Sequence, residues 1–338
     1  FLRKKKFDIK LITSSKDNIK KFNGIQLKTP GININSYGRK IKYLFCLFLL
    51  VKEFLSNKNL LVFSFQANVY CILLSKLFNK KIIIRSNSSP SGWSNNILKK
   101  IVFRIVFRYA DKIIVNSEEF RYELKKKFKV DSVSIYNPLN KLEILKLSKK
   151  KLNFPFFDKD KNSIKIINIG RFTDQKDHLT ILKAINNLKK KIKIKLLIIG
   201  RGKKFELMNN YINRNNLKKN IKIINFKLNP YPYLKKSDMF ILTSKYEGLP
   251  NVLLEAAALK KFIISTNCPT GPKEILKNGK YGYLTKIGDH NGISQRILSF
   301  IKNKKKAKLM ADKGYKDLAR FDYNYNLNKY FLEISKFY

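Results

Sequence analysis

The chain has 338 residues, 44% of them hydrophobic and 25 of them Phe. That is enough for two domains with real cores, and it excludes wholesale disorder. Three cysteines without a Cys-x-x-Cys pair, and two histidines far apart in sequence, exclude a disulfide framework and leave almost no material for a zinc site or a Ser-His-Asp triad. The formal net charge of +49 would attract any anionic partner. However, 61 of the 72 basic residues are Lys, spread over the whole chain alongside abundant Ile and Asn. That pattern reads mainly as compositional bias, and a nucleic-acid reader leans more on Arg and on a basic face with stacking aromatics.

In chain order, "FDIKLIT", "LLVFSF", "KIIIR", "DKIIVNS" and "SVSIY" read as strands, with helices between them over about 38–57, 67–79, 94–110 and 117–128. The run "YLFCLFLLV" (43–51) is too short to cross a bilayer, which takes about 20 residues, and reads as a core helix. "IYNPL" (135–139) breaks the pattern, because a residue before proline leaves the helical region. The Lys-rich stretch that follows, through "KKKLNFPFFDKDKNS", reads as irregular. Alternation then restarts with "IKIINIG", "KIKLLIIG", "IKIIN", "DMFILT", "KFIIST" and "YGYLT". Helices at about 289–303, 305–319 and 322–337 follow. Strands apolar on both sides, alternating with helices, predict parallel sheets covered by helices. Two runs with one break predict an α/β chain of two doubly wound, Rossmann-like domains: 1–137, 138–320, and a C-terminal helix at 321–338 that packs back on the first domain.

Ligands of open parallel sheets bind at the carboxyl ends of the strands, and three loops there are unusual. In "NIGRFTDQKDHLTILKAI" a strand ends at Gly170, Arg171 and Lys176 follow, and a helix begins near Asp177. Two cations beside the free N–H groups of a helix start suit a diphosphate; two solvated basic residues are the plainer reading. "IIGRGKKFELM" has Gly200 and Gly202 after a strand but lacks a third glycine on schedule, so a tight turn is favoured over a dinucleotide fingerprint. In "TSKYEGLPNVLLEAAA", Gly248 and Pro250 turn the chain into a helix, with Glu247 in the loop and Glu255 in the helix. Carboxylates accept hydrogen bonds from hydroxyls, so phosphate-binding N–H groups flanked by two of them describe a sugar-nucleotide site.

"GRFTDQKDH", then "EGLPNVLLEAAA" about 70 residues on, then "TGPKEIL…GYL", resemble the retaining glycosyltransferases of family 4, which have the GT-B fold. Glu247 and Glu255 match their Glu-x7-Glu motif, and "VNS" (115–117) and "YNP" (136–138) are similar to their end-of-domain and linker signatures. The resemblance is strong over the second half and weaker over the first. It implies a hexosyltransferase of cell-surface polysaccharide or lipid-linked glycan assembly. Arg171 and Lys176 would hold the donor diphosphate, Glu247 the sugar hydroxyls, and Glu255 the ribose hydroxyls. Gly170, Gly248, Leu249, Pro250, Asn251, Gly271 and Glu274 would shape the donor pocket, with Phe226 flanking the base. The donor implied is a UDP-sugar or a GDP-sugar, with no metal and no other cofactor. The acceptor implied is a glycan or a polyprenyl-linked glycan.

The family's first strand and glycine-rich turn find no match before "FDIKLIT", and the chain opens on Phe rather than Met. Both histidines fail to match the family's N-domain histidine. Gln66, Arg85 and Asn87, in "FSFQAN" and "IIIRSNSSP", resemble a subgroup's cleft loops and are expected near the donor or acceptor. Residues 95–113 combine a basic stripe, Lys100, Arg104 and Arg108, with apolar positions. Docking on an anionic membrane competes there with an ordinary core helix. The location expected is cytoplasmic, with peripheral contact on the inner face of the plasma membrane. The alternatives are a non-catalytic nucleotide- or glycan-binding relic, a GT-B epimerase or phosphorylase, and a basic nucleic-acid-binding protein. Glu255 separates the phosphorylase from a nucleotide-sugar enzyme, because an enzyme of sugar phosphates has no ribose to recognise.

Overall fold

The computed structural model describes residues 7–14, 25–31, 34, 36–87, 97–160 and 162–338. A four-stranded parallel sheet in the first half has the order β3 (Leu61–Ser64), β4 (Lys81–Ser86), β5 (Lys112–Val115), β6 (Val133–Ser134). Its strands alternate with α2 (Asn68–Leu77), α3 (Ile97–Phe107) and α4 (Glu118–Phe128), and α1 (Arg39–Ser56) precedes it. The start expected for α3 at residue 94 falls outside the described residues. Two short strands, β1 (Lys10–Ile12) and β2 (Gln26–Lys28), pair in parallel as a sheet of their own; the alternation Ile25-Gln26-Leu27-Lys28 at β2 is too short to announce a strand.

The second half holds a six-stranded parallel sheet with the order β12-β11-β10-β7-β8-β9. The strands are β7 (Ile164–Ile169), β8 (Ile194–Ile199), β9 (Ile221–Ile224), β10 (Met239–Leu242), β11 (Phe262–Thr266) and β12 (Tyr283–Thr285). Successive side chains enter opposite cores. Ile166, Leu196, Ile198, Met239 and Ile241 join one. Ile167, Leu197, Ile199, Phe240 and Leu242 join the other. A period of two that is apolar on both phases can be buried only between two helix layers. α7 (His178–Leu188), α8 (Phe205–Arg214) and α12 (His290–Lys302) cover the first face. α9 (Tyr231–Lys236) and α10 (Asn251–Ala258) cover the second.

The Lys-rich stretch expected to be irregular contains two helices. α5 (Lys141–Ser148) starts on Asn140, whose side chain accepts from the Glu143 amide, and α6 (Pro155–Asp158) has Pro at its first turn. Ile144 and Phe157 enter the second core. Sparse apolar anchors among lysines hid both helices from periodicity, and tertiary burial supplies what local propensity does not.

The chain crosses between the halves twice, side by side: the Leu139 amide donates to the Phe321 carbonyl at 2.9 Å. After α13 (Lys304–Asp317), α14 (Tyr323–Ser335) returns to the first half. Ile334 packs with Ile83, Ile114 and Ile135, and Lys112 pairs with Glu333 at 3.1 Å.

The glycines of "GRG" serve close packing. A Cβ on Gly200 would sit 1.9 Å from the Gly170 carbonyl oxygen and 2.8 Å from the Phe172 ring. Gly202, at φ +150°, lies as tightly against the Phe172 backbone. Gly200→Ala must push apart the ends of β7 and β8, and is expected to destabilise by about 3 kcal/mol or more. Chemical denaturation checks this.

Candidate active site

β7 and β10 are neighbours in the sheet, but the chain winds away from them in opposite directions. This is the switch point of a doubly wound sheet, where the carboxyl-end loops splay and leave a crevice. The loop after β7 carries Gly170, Arg171 and Lys176, and the loop after β10 carries Glu247. Lys176 Nζ donates to Glu247 Oε1 at 2.5 Å, with side chains 13% and 8% exposed. The loops are also tied through backbone. Thr243 Oγ1 donates to the Lys176 carbonyl at 2.9 Å, the Lys245 amide to the Gln175 carbonyl at 2.8 Å, and Gln175 Nε2 to the Tyr246 carbonyl at 2.9 Å. The loop after β11 joins them, since Thr270 Oγ1 donates to the Glu247 carbonyl at 2.7 Å.

A Cβ on Gly170 would stand 3.6 Å from the Lys176 stem, an ordinary van der Waals contact, so the Lys176 side chain runs past Gly170. Arg171 is exposed, and among the described residues no carboxylate pairs with it. His178, at the start of α7, is buried, and burial first and the Lys176 charge second push its pKa down to about 4. It stays neutral and is no general acid or base at neutral pH. Among the described residues no cluster of His, Cys, Asp or Glu could hold a metal ion.

Glu255 lies in the second turn of α10, close to the Tyr231 hydroxyl of α9. Burial pushes its pKa up to about 7, against the opposing effect of that hydroxyl. Burial, and then the Glu255 charge, raise the Tyr231 phenol in turn. Its two carboxylate oxygens have acceptor capacity for hydroxyls of a ligand.

The first half closes against these loops. A Cβ on Gly248 would stand 2.1 Å from the Asn87 carbonyl oxygen and 2.9 Å from Asn116 Nδ2, so Gly248 permits a contact between the halves that no other residue could. Ser117 Oγ reaches the Gly248 carbonyl at 3.5 Å. Gly271, at φ +93°, allows the same closeness to Gly248 and Pro250.

Glu274 shapes this region differently from the expectation. Its carboxylate accepts from the Glu118 and Glu119 amides at the start of α4, at 3.1 and 3.0 Å, and so ties the halves. Glu119 reciprocates by accepting from the Gly271 amide at 2.9 Å.

Arg85 is drawn away from the expected cleft position. Its Nε donates to the Tyr330 hydroxyl at 2.5 Å and its Nη2 to Asn137 Oδ1 at 2.6 Å. Asn137 Nδ2 continues to the Leu249 carbonyl at 3.1 Å and Asn251 Oδ1 at 2.5 Å. Arg85 therefore meets the donor loop through one intermediary. Gln66 is exposed after β3, where its carbonyl accepts from Ser64 Oγ at 2.8 Å. Phe226 is exposed after β9, with the Arg201 guanidinium 5.4 Å from its ring centre. Asn137, Glu119, Thr270 and Tyr231 were not singled out from sequence. Asn137 stands inside "YNP", read only as a linker; the others carry no local signal.

Residues 149–317 match the model of the family "Glycosyl transferases group 1". The chain belongs to that family. It is similar to an uncharacterized glycosyltransferase of Methanocaldococcus jannaschii, 33% identical over 240 residues, 64% of this chain and 59% of that protein. It is also similar to the N-acetylgalactosamine-N,N'-diacetylbacillosaminyl-diphospho-undecaprenol 4-alpha-N-acetylgalactosaminyltransferase of Campylobacter jejuni. That relative is 26% identical over 260 residues, 75% of this chain and 70% of the relative. Among solved structures, Anabaena HepE in complex with UDP and glucose superposes with a TM-score of 0.76 at 15% identity, covering 97% of this chain and 99% of that one. The fold is thus that of the GT-B glycosyltransferases, two Rossmann-like domains with the switch-point loops of the second turned toward the first. The family match falls on the half that carries Lys176, Glu247 and Glu255.

Two stability measurements probe this site. Lys176→Met leaves Glu247 buried without its partner, and is expected to cost about 3 kcal/mol in denaturant unfolding. Glu255 has a folded-state pKa raised from 4.5 to about 7. Between those values the folded chain keeps a proton that the unfolded chain has lost, so stability falls as pH rises across that window. Glu255→Gln removes this slope, and is expected to melt higher than the parent protein at pH 8 and close to it at pH 4.5.

Proposed function

We propose that the protein is a retaining glycosyltransferase of family 4. It would move a hexose or N-acetylhexosamine from a nucleoside-diphosphate sugar to a glycan or lipid-linked acceptor in cell-surface polysaccharide assembly. The observation that carries this reading is the buried Lys176–Glu247 pair at the switch point, with Glu255 one helix turn beyond the same loop. Cation and carboxylate side by side suit a ligand that is anionic at one end and hydroxylated at the other. The activity for which the Campylobacter relative is named, on an undecaprenol-diphosphate-linked sugar, supports the acceptor class. UDP in the Anabaena structure supports a UDP-sugar over a GDP-sugar.

In this reading Lys176 and Arg171 hold the diphosphate, the backbone of Leu249, Pro250 and Asn251 approaches it, and Glu247 fixes the sugar hydroxyls. Glu255 takes the ribose hydroxyls, and Phe226 flanks the base. The bond from the anomeric carbon to the diphosphate oxygen breaks, and negative charge grows on that oxygen. Fixed cations beside it stabilise the transition state more than the ground state. The acceptor hydroxyl attacks from the face the diphosphate leaves, and its proton passes to the departing phosphate oxygen, so the anomeric configuration is kept. The cations take the role a metal would otherwise fill, and turnover is expected to survive a chelator. The protein would act in the cytoplasm, at the inner face of the membrane.

A thermal-shift panel of UDP, GDP, ADP and inorganic diphosphate at low salt tests the donor site. One nucleoside diphosphate should stand out, stabilising by about 2.7 kcal/mol at a hundredfold excess over its dissociation constant. Glu255→Ala should bring the nucleotide responses down toward that of inorganic diphosphate, because all three nucleotides share the ribose it holds. Ribose hydroxyls bond more strongly to the ionised carboxylate than to the protonated acid, so nucleotide affinity should rise between pH 6 and pH 8 in the parent protein. Equal shifts from all four anions in both proteins would rule the site out. With donor and acceptor in hand, NMR of the product's anomeric proton reports retention or inversion.

A further inference from the structure

The helix layer over the four-stranded sheet is apolar on both sides. Inward, Phe54, Ile72, Val106 and Phe107 pack on Ile82, Ile84, Ile113 and Val115. Outward, α1 presents Ile41, Leu44, Phe48 and Leu55, and α2 presents Tyr70, Leu73 and Leu77. α3 adds Ile97, Leu98, Ile101, Val102 and Ile105. The spacings of three, four and seven place each set on one face of its helix. α1 touches α2 and α2 touches α3, so the three sets form one surface. Leu44 is 66% exposed, Ile97 71% and Leu77 78%. Of "YLFCLFLLV", Leu44 and Phe48 are exposed and the other seven residues are half-buried, with Leu50 against the core, so the core helix that its composition suggests is covered on one side only. Isolated exposed apolar residues are ordinary, but a contiguous three-helix face of them marks an interaction site.

We infer that this outer face of α1, α2 and α3 is a docking surface for an anionic lipid bilayer. Its charge identifies the occupant. Residues 39–107 contain twelve Lys or Arg and a single acid, Glu53. Glu53 is taken by Lys10 and Lys28, and neighbouring Asp111 by Lys76 and Lys81. Arg39, Lys40, Lys52, Lys100 and Arg104 are exposed among the apolar side chains. Lys52 Nζ lies 4.8 Å from the centre of the exposed Phe48 ring, a cation–π contact that sets a basic group directly against the apolar face. A second copy of the chain would set this positive surface against itself, which like charge opposes. Anionic headgroups complement it, each basic residue near the surface contributing about 1 kcal/mol. Among the described residues no helix is long and apolar enough to cross a membrane, so the contact is lateral. The surface also reaches the cleft edge. Phe65, just after β3, and Tyr70, in the first turn of α2, are both exposed at the carboxyl end of the sheet.

Vesicle co-sedimentation of the whole chain tests this. It uses phosphatidylcholine vesicles with and without about a third phosphatidylglycerol, a fraction chosen to give a strong surface potential. The protein should pellet with the anionic vesicles and stay largely in solution with the neutral ones. The combined variant Leu44→Ser, Phe48→Ser, Ile101→Ser and Ile105→Ser keeps the net charge unchanged. Its partitioning should fall about tenfold or more, because inserted apolar area is lost, while its melting temperature stays close to the parent's. Leu73→Ser with Leu77→Ser on α2 repeats the test should the fourfold variant fold poorly. The inference is overturned if the parent chain ignores anionic vesicles. It is equally overturned if the serine variants pellet as well as the parent, which would leave net charge alone responsible. It also fails if the parent is a dimer that the same substitutions dissociate. Each readout is independent of the donor site.

Discussion

A lysine and a glutamate neutralise each other where the second sheet reverses its winding, and the site is organised around that fact. Neither Lys176 nor Glu247 could be held at this depth without the other, because an unpaired buried charge costs several kcal/mol. Their pairing fixes the loop after β7 to the loop after β10. Thr270 then fixes the loop after β11 to both. Burial that is costly for a charge in the free protein becomes useful when a ligand brings opposite charge and hydroxyls, since a dry site screens those interactions little. Glu255 follows the same logic in milder form: desolvation keeps its carboxyl near neutrality until donors arrive.

The two halves are linked by backbone that crosses twice at one place and by polar contacts clustered beside it. The series Tyr330, Arg85, Asn137, Leu249 runs as a hydrogen-bonded chain from the returning C-terminal helix, through the first sheet, to the donor loop. Glu274 and Glu119 exchange backbone donors across the same boundary. These are small, polar contacts around a paired crossover, the kind that permits motion between domains. Gly248 and Gly271 let backbone meet backbone there, and any side chain in their place would hold the halves or the loops apart.

Much of the architecture was legible because the six strands of the second sheet are apolar on both phases, a pattern that a sheet can bury only when helices cover both its faces. The site loops were legible for a related reason: a strand end, a turn and a helix start lie close together in sequence, so Gly170 with Lys176, and Glu247 with Glu255, show as short motifs. Features that depend on distant partners were not legible. The helix at Lys141–Ser148 has a local start signal, Asn140 three residues before Glu143, but the lysines around it masked the signal and only packing of Ile144 in the second core fixes the helix. Arg85 looks like a cleft residue until Tyr330, 245 positions away, claims its guanidinium.

The sequence by itself determined the period of its apolar residues, the positions of its turns and the residue types available at the strand ends. From these follow the parallel sheets, the class of the fold and the loops where ligands bind. Tertiary structure alone decided which of those residues meet. Lys176 and Glu247 are 71 positions apart, and only the order of strands in the sheet makes them neighbours. Tertiary structure also decided which side of each apolar helix is covered. The composition of α1 would serve a core equally well, and its outer face is exposed only because the sheet beneath has one surface to offer and, among the described residues, no second layer lies above.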